Sequence, residues 1–525
     1  MRYFGSIQGP KCTIFADTPT KSVHFSTEIR GMYKPKDRKT QVLFLELFPF
    51  GGSLDQRNRW LRIRELIPWE ELEYEYLKYF SDVGRPGKDA QLILGLLLLK
   101  HMTKLSDREM IAAVMENPYM QAFCGFHSMA TARMIDASTL TQARKRLGPK
   151  FFRQLEKKTY AVLIERGIIR ARGLLADATV FPEEIKFPTD VGLLNDVRRW
   201  LVRTIRSLGG KVRTRRRKAD KEYLRFSKTK RKTKKIIDRA KKAMLQYVRR
   251  NIRQLENVLQ KTSGVETKIL EWLVVSKEIF RQQWEMYKKR MNRIAGRIVS
   301  LHRPYVRPIK TGKQVRDTEF GAKGALTHVD GFLFLDYWKH EAFNESEHVA
   351  RHLATYAERF GKLPPYFVGD TKYGTRVNRT DLETLGVRPS FKPLGRRAKT
   401  PGPDRWFKKK QKERNRIEGA FGNGKEHYGL SRVRYKGEET SEVWVRTSLL
   451  AIREREKCEA RSREDAAASA TGHDHCMRST PVFIFQQTLI TCYIRNLFDM
   501  NHIAPECLAF DIILCLIGGT AYNIS

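Results

Sequence analysis

Apolar residues recur at helical spacing through the first part of the chain. The period runs through LDQRNRWLRIRELIPWEELEYEYLKYF (54–80), is broken by Pro68, and continues over residues 83–126. Ser106 followed by Glu109 is a capping-box signal ahead of DREMIAAVM. The pattern predicts an all-α region over 41–165, after a leader at 1–40 that we expect to be poorly ordered.

A second helix start with a basic character follows in DASTLTQARKRLG (136–148). We expect Ser138 or Thr139 to be the N-cap, with Arg144, Lys145 and Arg146 on the helix behind it. Two short helices with a basic second helix suit a helix-turn-helix module that contacts DNA. A helical bundle with a cationic face fits the same pattern, and the sequence does not decide between them.

The period changes to that of β-strands at GLLADATV (173–180) and again after Pro308. Two strands joined at Asp330-Gly331 give a strong hairpin signal, and a helix should end at Gly361. Further strands and helices are predicted in LPPYFVGD (363–370), TDLETLGV (380–387), RPSFKP (388–393) and a helix opening at RNRIEGAF. The order predicts an α/β fold, a mixed sheet flanked by helices and interrupted after its first strand.

The interruption, at 195–299, is helical and very basic. Between Lys211 and Arg250 there are 19 Lys and Arg residues against three acids, a local net charge of +16. Such a segment predicts a long helical hairpin with an exposed cationic surface that gains by contacting phosphates; the residues singled out are Arg215, Arg216, Arg217 and Lys218. A solvated helix pair without a partner is the alternative.

The charge of the whole chain favours a polyanionic partner, because 100 Lys and Arg residues against 58 Asp and Glu give a net charge of +42. No apolar run reaches the roughly 20 residues that a membrane span needs. The N-terminus lacks the apolar core of a signal peptide, and translation could also begin at Met32. These features predict a cytoplasmic protein that does not enter a membrane and binds nucleic acid.

The C-terminal segment, 453–525, differs from the rest in composition. Residues 471–525 contain no lysine, and five of the seven cysteines lie from Cys458 onward. No CxxC pair occurs, which argues against a structural zinc site. The cluster HDHC (473–476) could bind a metal, although a polar loop needs no ligand. We expect an atypical tail and assign it no function.

Three acids lie where elements end or begin. Asp177 ends LLADAT, Asp370 ends FVGD, and Glu418 stands in the predicted helix. Neighbouring strands can present carboxylates at one sheet edge, and a helix across that edge can add a third. Mg²⁺ would neutralise them, and two ions about 3.5–4 Å apart suit phosphodiester chemistry. Weaker candidates are Asp190, Asp196, Asp330 and Asp336.

The order and context of these acids resemble those of the DDE transposases of bacterial insertion sequences. Segments 177–198, 319–346 and 414–437 resemble three parts of the catalytic region, and two segments before residue 110 resemble the N-terminal helical domain. The resemblance covers about residues 32–450. It implies an RNase H-like catalytic domain over 166–194 and 300–452, with Asp177, Asp370 and Glu418 holding two Mg²⁺ ions, for which Mn²⁺ can substitute.

The family's glutamate helix carries Tyr, two residues, Arg, three residues, Glu, six residues, Lys. Arg414, Glu418 and Lys425 occupy the last three positions, and Gln411 replaces the tyrosine. At about 100° per residue the four positions lie within about 60° of one helical face. The resemblance implies that Arg414, Lys425 and Gln411 contact phosphate. Three glycines after Glu418 either end the helix early or permit a close backbone approach.

The resemblance implies a nucleoid-associated bacterial enzyme that cuts the terminal inverted repeats of a transposon and joins them to target DNA. Because two ends must be joined, we expect a dimer or larger assembly. Three alternatives stay open: a DNA-binding relic without catalysis, an RNase H-like nuclease that cuts without joining, and a basic RNA-binding protein, which would not explain the ordered acids.

Overall fold

The computed structural model describes residues 50, 54–81, 83, 86–130, 132–212, 216–262, 264–311, 318–395 and 404–471, with side chains up to residue 455. The leader, Met32 and the HDHC cluster lie outside these ranges. The helices are α1 Arg59–Leu66, α2 Trp69–Leu77, α3 Ala90–Thr103, α4 Asp107–Glu116, α5 Pro118–Phe123, α6 Ala137–Glu165, α7 Asp190–Ser207, α8 Arg216–Lys228, α9 Lys234–Leu259, α10 Thr267–Lys288, α11 Val349–Phe360, α12 Arg376–Thr384, α13 Arg405–Glu413, α14 Asn415–His427 and α15 Glu438–Thr471. The strands are β1 Leu174–Pro182, β2 Arg307–Lys310, β3 Thr318–Val329, β4 Phe332–Lys339, β5 Tyr366–Val368 and β6 Arg388–Ser390.

The strands form one mixed sheet in the order β2-β3-β1-β5-β6, and β4 also pairs with β3. Strands β1, β5 and β6 run parallel, whereas β3 is antiparallel to β1, β2 and β4. The predicted α/β class is therefore confirmed. The short strand β2 was not predicted.

Several helices and strands begin or end where turn and capping residues in the sequence predicted. Asp330 and Gly331 both have positive φ (49° and 104°), which gives a two-residue turn between β3 and β4. Helix α11 ends at Gly361 with φ 68°, and the Ser106–Glu109 capping box begins α4. The N-cap of α6 is Asp136, so the expectation of Ser138 or Thr139 was wrong: the Asp136 carboxylate accepts from the Ser138 N–H.

The N-terminal helices and the sheet share one hydrophobic core. One cluster joins α1 to α6, side chains of one sheet face such as Leu326 and Leu333, and the first half of α15. A second cluster lies under the other face and holds α11 and the segment around α12, with Phe367 and Tyr356 fully or almost fully buried. The sheet is thus covered on both faces, as a sheet with parallel strands requires.

Helix α15 continues the core past the predicted start of the tail. Arg453 is 1 % exposed, donates to Oε1 of Glu156 on α6 at 2.9 Å, and also donates to the Leu333 carbonyl at 3.0 Å. Helix α15 thus carries the core into the first residue of the segment expected to be a tail. A buried charge needs such partners, so the helix cannot end before this residue without exposing them.

The insertion is a helical body with a core of its own. Helices α7, α9 and α10 pack through a separate cluster that includes Leu201, Leu245 and Ile279. Asp190 at the start of α7 joins the helices, because its carboxylate accepts from Lys241, Gln283 and Arg297. Asp190 therefore stabilises the packing of the helices in the insertion. Among the described residues every helix is too short or too polar to cross a bilayer.

Candidate carboxylate site at the sheet edge

The register of two parallel strands brings the two predicted aspartates together. Leu175 of β1 pairs with Val368 of β5. Asp177 and Asp370 each lie two residues further along the chain, so they stand at the same level on neighbouring segments. Both side chains are partly buried. The structure therefore places two predicted acids at one edge of the sheet.

The environment of Asp177 disfavours its charge. Burial raises the pKa of Asp177 to about 6, and the charges of Glu345 and Asp370 act in the same direction. The backbone N–H of Ala178, which donates to Oδ1 at 2.8 Å, and the guanidinium of Arg414 act against this shift. A carboxylate with a raised pKa beside other acids is in a position to gain from a cation.

Glu418 reaches this edge from helix α14 through an arginine. Nη1 of Arg414 lies 2.8 Å from Oε1 of Glu418 and 3.8 Å from Oδ2 of Asp177. The side chain of Glu418 is 50 % exposed, whereas that of Arg414 is 19 % exposed. Arg414 thus links Asp177 and Glu418, the first and third of the predicted acids, by charge.

The predicted glutamate helix is two helices, α13 and α14, which meet at Arg414, and both contact strands of the sheet. Lys425 donates to the Thr179 hydroxyl at 2.8 Å, two residues beyond Asp177 on β1. Gln411 donates to the carbonyl oxygen of Ser390 on β6 at 2.7 Å. The amide of Gln411 is therefore used to fix α13 to the sheet.

The glycines after Glu418 do not end the helix, which runs to His427. A Cβ built on Gly419 or Gly422 would meet nothing within 4 Å. A Cβ on Gly424 would lie 2.7 Å from Cδ1 of Leu430, so this glycine permits a close approach within the core. Lys425 keeps its predicted position because the helix is continuous around it.

The three basic residues of α6 differ in their exposure to solvent. Arg144 is 4 % exposed, binds Asp107 with Nη2 2.7 Å from Oδ2, and stacks 4.0 Å from the Tyr435 ring centroid. Arg144 is thus part of the core, and its predicted contact with DNA is wrong. Lys145 and Arg146 are exposed.

The basic residues of α8 lie on the surface of the insertion. Arg216 pairs with Asp220 at 3.7 Å, and Arg217 and Lys218 are exposed. Arg215 lies outside the described residues. Of the weaker candidate acids, Asp336 is fully buried and bound to His352 and Arg359, each at 2.6 Å. A structural role accounts for Asp336.

Sequence reasoning missed an acid close to the site. Glu345 is 5 % exposed and begins a 3₁₀ helix, Glu345–His348, after β4. Its Oε1 lies 2.8 Å from Nζ of Lys323 and 3.3 Å from Nζ of Lys372. In the sequence FNESEH it has the appearance of an acid in a first helical turn, and only its burial distinguishes it.

Comparison with known proteins gives matches at both ends of the described chain. Residues 49–146 match the family described as Transposase domain (DUF772), and residues 367–453 match the family described as Transposase DDE domain. An uncharacterized protein, ORF8 in the nfe locus of Rhizobium meliloti, is 36 % identical over 163 residues, covering 30 % of this chain and 79 % of that protein. No solved structure matches the chain.

The two matches lie in the predicted order, and the second includes Asp370 and Glu418. The chain is a transposase of the DDE class. It belongs to the DDE transposases of insertion sequences, enzymes that act on DNA and depend on divalent metal ions.

The residues at the sheet edge fit such an ion by their chemistry. Asp177, Asp370 and Glu418 offer only oxygen donors, which a hard divalent cation prefers. The guanidinium of Arg414 already supplies a positive charge between two of them. Among the described residues no three His, Cys, Asp or Glu side chains are grouped tightly enough to hold an ion in this arrangement. An ion held by all three acids would need their carboxylates closer together, and Glu418 is paired with Arg414.

Proposed function

We propose that this transposase cuts transposon ends and joins them to target DNA by two-metal phosphoryl transfer. The observation that carries the proposal is the common level of Asp177 and Asp370 on β1 and β5, with Glu418 linked to Asp177 through Arg414. The separate family matches on either side of the insertion support it.

Asp177, Asp370 and Glu418 would hold two Mg²⁺ ions, for which Mn²⁺ can substitute. When bound, the ions supply the Lewis acidity that activates water for cleavage and a 3′-OH for joining, and that offsets charge on the leaving oxygen. The carboxylates contribute fixed oxygen ligands at a partly buried edge, where the charges interact more strongly than in water.

Three side chains of the glutamate motif, on α13, on α14 and at the junction between them, have separate roles in this account. Arg414, once released from Glu418, binds a phosphate and offsets charge that develops on it. Lys425 lies on the same face and contacts phosphate from its position beside Thr179. Gln411 positions α13 against the sheet, because its amide already donates to the Ser390 carbonyl.

The catalytic fold in this proposal is RNase H-like. Parallel β1, β5 and β6 lie on one side of the sheet, antiparallel β3 and β4 lie on the other, and the helical body enters directly after β1. The helical N-terminal region would read the terminal inverted repeats, with Lys145 and Arg146 among its exposed cations. The α8 surface, with Arg216, Arg217 and Lys218, would contact the DNA backbone.

Joining two ends to one target requires two active sites, so the working form is a dimer or a larger assembly on bacterial DNA in the cytoplasm. The test is incubation of the full chain with labelled transposon-end DNA, a target plasmid and Mg²⁺. Cut ends and joined products are expected. Cutting without joining would identify a nuclease, and binding without cutting would identify a relic; either result contradicts the proposal.

A further inference from the structure

The segment SRVRYKG, which follows α14, carries three exposed cations at alternate positions. Val433 and Tyr435 are 0 % and 7 % exposed, whereas Arg432, Arg434 and Lys436 are exposed. Burial that alternates with a period of two is typical of extended backbone with one buried face. The three cations, called the cation row below, therefore lie on one outer face of the segment, with neighbouring members about 6.6 Å apart along the backbone.

Backbone hydrogen bonds fix this segment at the end of β1. The N–H of Val433 donates to the Pro182 carbonyl at 2.7 Å, and the N–H of Glu184 donates to the Val433 carbonyl at 3.0 Å. The guanidinium of Arg303, which is 4 % exposed, donates to the carbonyls of Val433 and Arg434, each at 3.3 Å. The cation row thus has a defined position relative to β1.

The buried face of the segment packs against the N-terminal helices and α15. The ring centroid of Tyr435 lies 4.0 Å from the Arg144 guanidinium on α6 and 4.6 Å from the ring centroid of Trp444 on α15. The cation row therefore lies between the N-terminal region and the catalytic sheet, and it is attached to both.

Cations follow β1 in order, from the carboxylate site outward. Arg414 lies 3.8 Å from Asp177. Two residues further along β1, Lys425 donates to the Thr179 hydroxyl at 2.8 Å. Pro182, beside which the cation row begins, is five residues beyond Asp177, a distance of about 16 Å at the rise of a strand. This distance corresponds to about five base pairs of duplex DNA.

A solvated surface without a partner explains the cation row less well. Arg432 lies 3.6 Å from Glu184, but the two side chains are 63 % and 49 % exposed, so this ion pair contributes little. Within the described part of the chain the side chains of Arg434 and Lys436 form no ion pair. Cations held at fixed spacing repel one another, and phosphates would remove this repulsion. Because the backbone is already fixed, binding would cost little ordering.

We propose that Arg432, Arg434 and Lys436 bind consecutive phosphates of one strand of the transposon-end duplex, about five base pairs from the phosphate held at the carboxylates. This inference rests on the proposed function, because it places the same duplex at both positions. The α8 surface lies on the insertion, whereas the cation row is bonded to the catalytic sheet. The row therefore positions the duplex relative to the carboxylates.

The test is binding of the full chain to transposon-end duplexes in which single phosphates are replaced by uncharged methylphosphonates. Affinity is measured by fluorescence anisotropy without divalent metal. The wild type should lose affinity several-fold at two or three adjacent phosphates within about five base pairs of the transposon boundary. The triple variant Arg432→Gln, Arg434→Gln and Lys436→Gln should lose this sensitivity. The slope of its log affinity against log salt should fall by about 2–3, since each phosphate contact contributes about 0.9.

The matched control replaces Arg170, Arg172 and Lys362 by glutamine. These three exposed cations lie before the start of β1 and β5, on the other side of the carboxylates along these strands. The control should keep the methylphosphonate pattern of the wild type and nearly all of its salt slope.

Equal methylphosphonate losses in the wild type and the triple variant would overturn this inference, because the sensitive phosphates would then contact other residues. An unchanged salt slope would also overturn it. Cutting and joining are measured separately with Mg²⁺. A wild type that shows the expected pattern but does not cut contradicts the proposed function and leaves the phosphate contact standing. If circular dichroism shows that the triple variant does not fold, Arg434→Gln alone should remove the sensitivity at one phosphate, and full retention would overturn the inference.

Discussion

The guanidinium of Arg414 lies 3.8 Å from the carboxylate of Asp177, although the two residues come from opposite sides of the helical insertion. The same nitrogen lies 2.8 Å from Oε1 of Glu418. In this arrangement Arg414 occupies a position between two acids that a divalent cation would also favour. Arg414 and a metal ion should therefore compete for the site.

Replacing Arg414 by alanine should tighten Mn²⁺ binding several-fold in the absence of DNA, because the competing charge is removed. The same change should reduce cleavage of DNA, because a phosphate contact is lost. The metal affinity is measured by Mn²⁺ titration, with the exposed neighbour Arg416→Ala as the control. Weaker metal binding in Arg414→Ala would show that the arginine supports the site and does not compete for it.

Replacing the glycines of α14 by alanine should change the stability of the protein in opposite directions. Gly419→Ala and Gly422→Ala should each raise the free energy of unfolding by about 0.5–1 kcal/mol, because alanine is the better helix former and its Cβ meets nothing. Gly424→Ala should lower it by about 1–3 kcal/mol, because the new Cβ would crowd Leu430. Urea unfolding followed by circular dichroism measures all three. A stabilised Gly424→Ala protein would contradict the close packing described for α14.

The insertion should supply part of the salt-dependent affinity for DNA. Replacing the exposed cations Arg217, Lys218 and Lys221 by glutamine should reduce the slope of log affinity against log salt by about 1–3, since each lost phosphate contact removes about 0.9. The measurement is fluorescence anisotropy with duplex DNA at several salt concentrations.

A matched set of three exposed cations lies at the start of strands β1 and β5. Arg170, Arg172 and Lys362 line a cavity of about 500 Å³ where the chain enters β1 and β5, before Asp177 and Asp370 along these segments. Their replacement by glutamine should leave the salt slope nearly unchanged. Equal losses in the two triple variants would show that binding follows total charge and not the α8 surface.

The shared core of the N-terminal helices and α15 should be sensitive to acid through His101. Its Nδ1 lies 2.8 Å from the Ser448 hydroxyl on α15, and burial lowers the pKa of His101 to about 3. Below pH 6.5 the unfolded chain binds a proton that the folded protein excludes. Stability is thus lost as pH falls from 6.5 toward 3, by up to about 1.4 kcal/mol per pH unit from this group.

The measurement is the urea midpoint between pH 6.5 and 4.5 for the wild type, His101→Gln and a control. The control, His427→Gln, alters a histidine whose side chain is 52 % exposed. His101→Gln should flatten the pH dependence, and the control should not. The same steep dependence in both variants would mean that His101 is not buried in its neutral form between these helices.

Local signals made much of the fold predictable. The Asp330-Gly331 turn, the Ser106–Glu109 capping box and the end of α11 at Gly361 depend on residues close together in sequence. That Asp177 and Asp370 lie close together could also be predicted, because each follows a short apolar run in the sequence, although β1 continues past Asp177 to Pro182. Asp136 was missed as an N-cap since three neighbouring residues can all act as caps.

Partners distant in sequence set the limit of prediction. From the sequence Arg144 was expected to contact DNA, but it pairs with Asp107, 37 residues earlier, and lies in the core. Glu345 had the appearance of an ordinary first-turn acid, and only its burial against Lys323 shows otherwise. Pairings of this kind depend on the packing of elements, which no local pattern specifies.

The central claim is that Asp177 takes part in metal-dependent cleavage of DNA. The most direct measurement is Mg²⁺-dependent cutting and joining of labelled transposon-end DNA by the wild type, Asp177→Asn and the exposed control Asp381→Asn. The account predicts that Asp177→Asn still binds the DNA but loses cutting and joining by at least about three orders of magnitude, whereas Asp381→Asn retains both. Cleavage by Asp177→Asn at the wild-type rate would contradict the account.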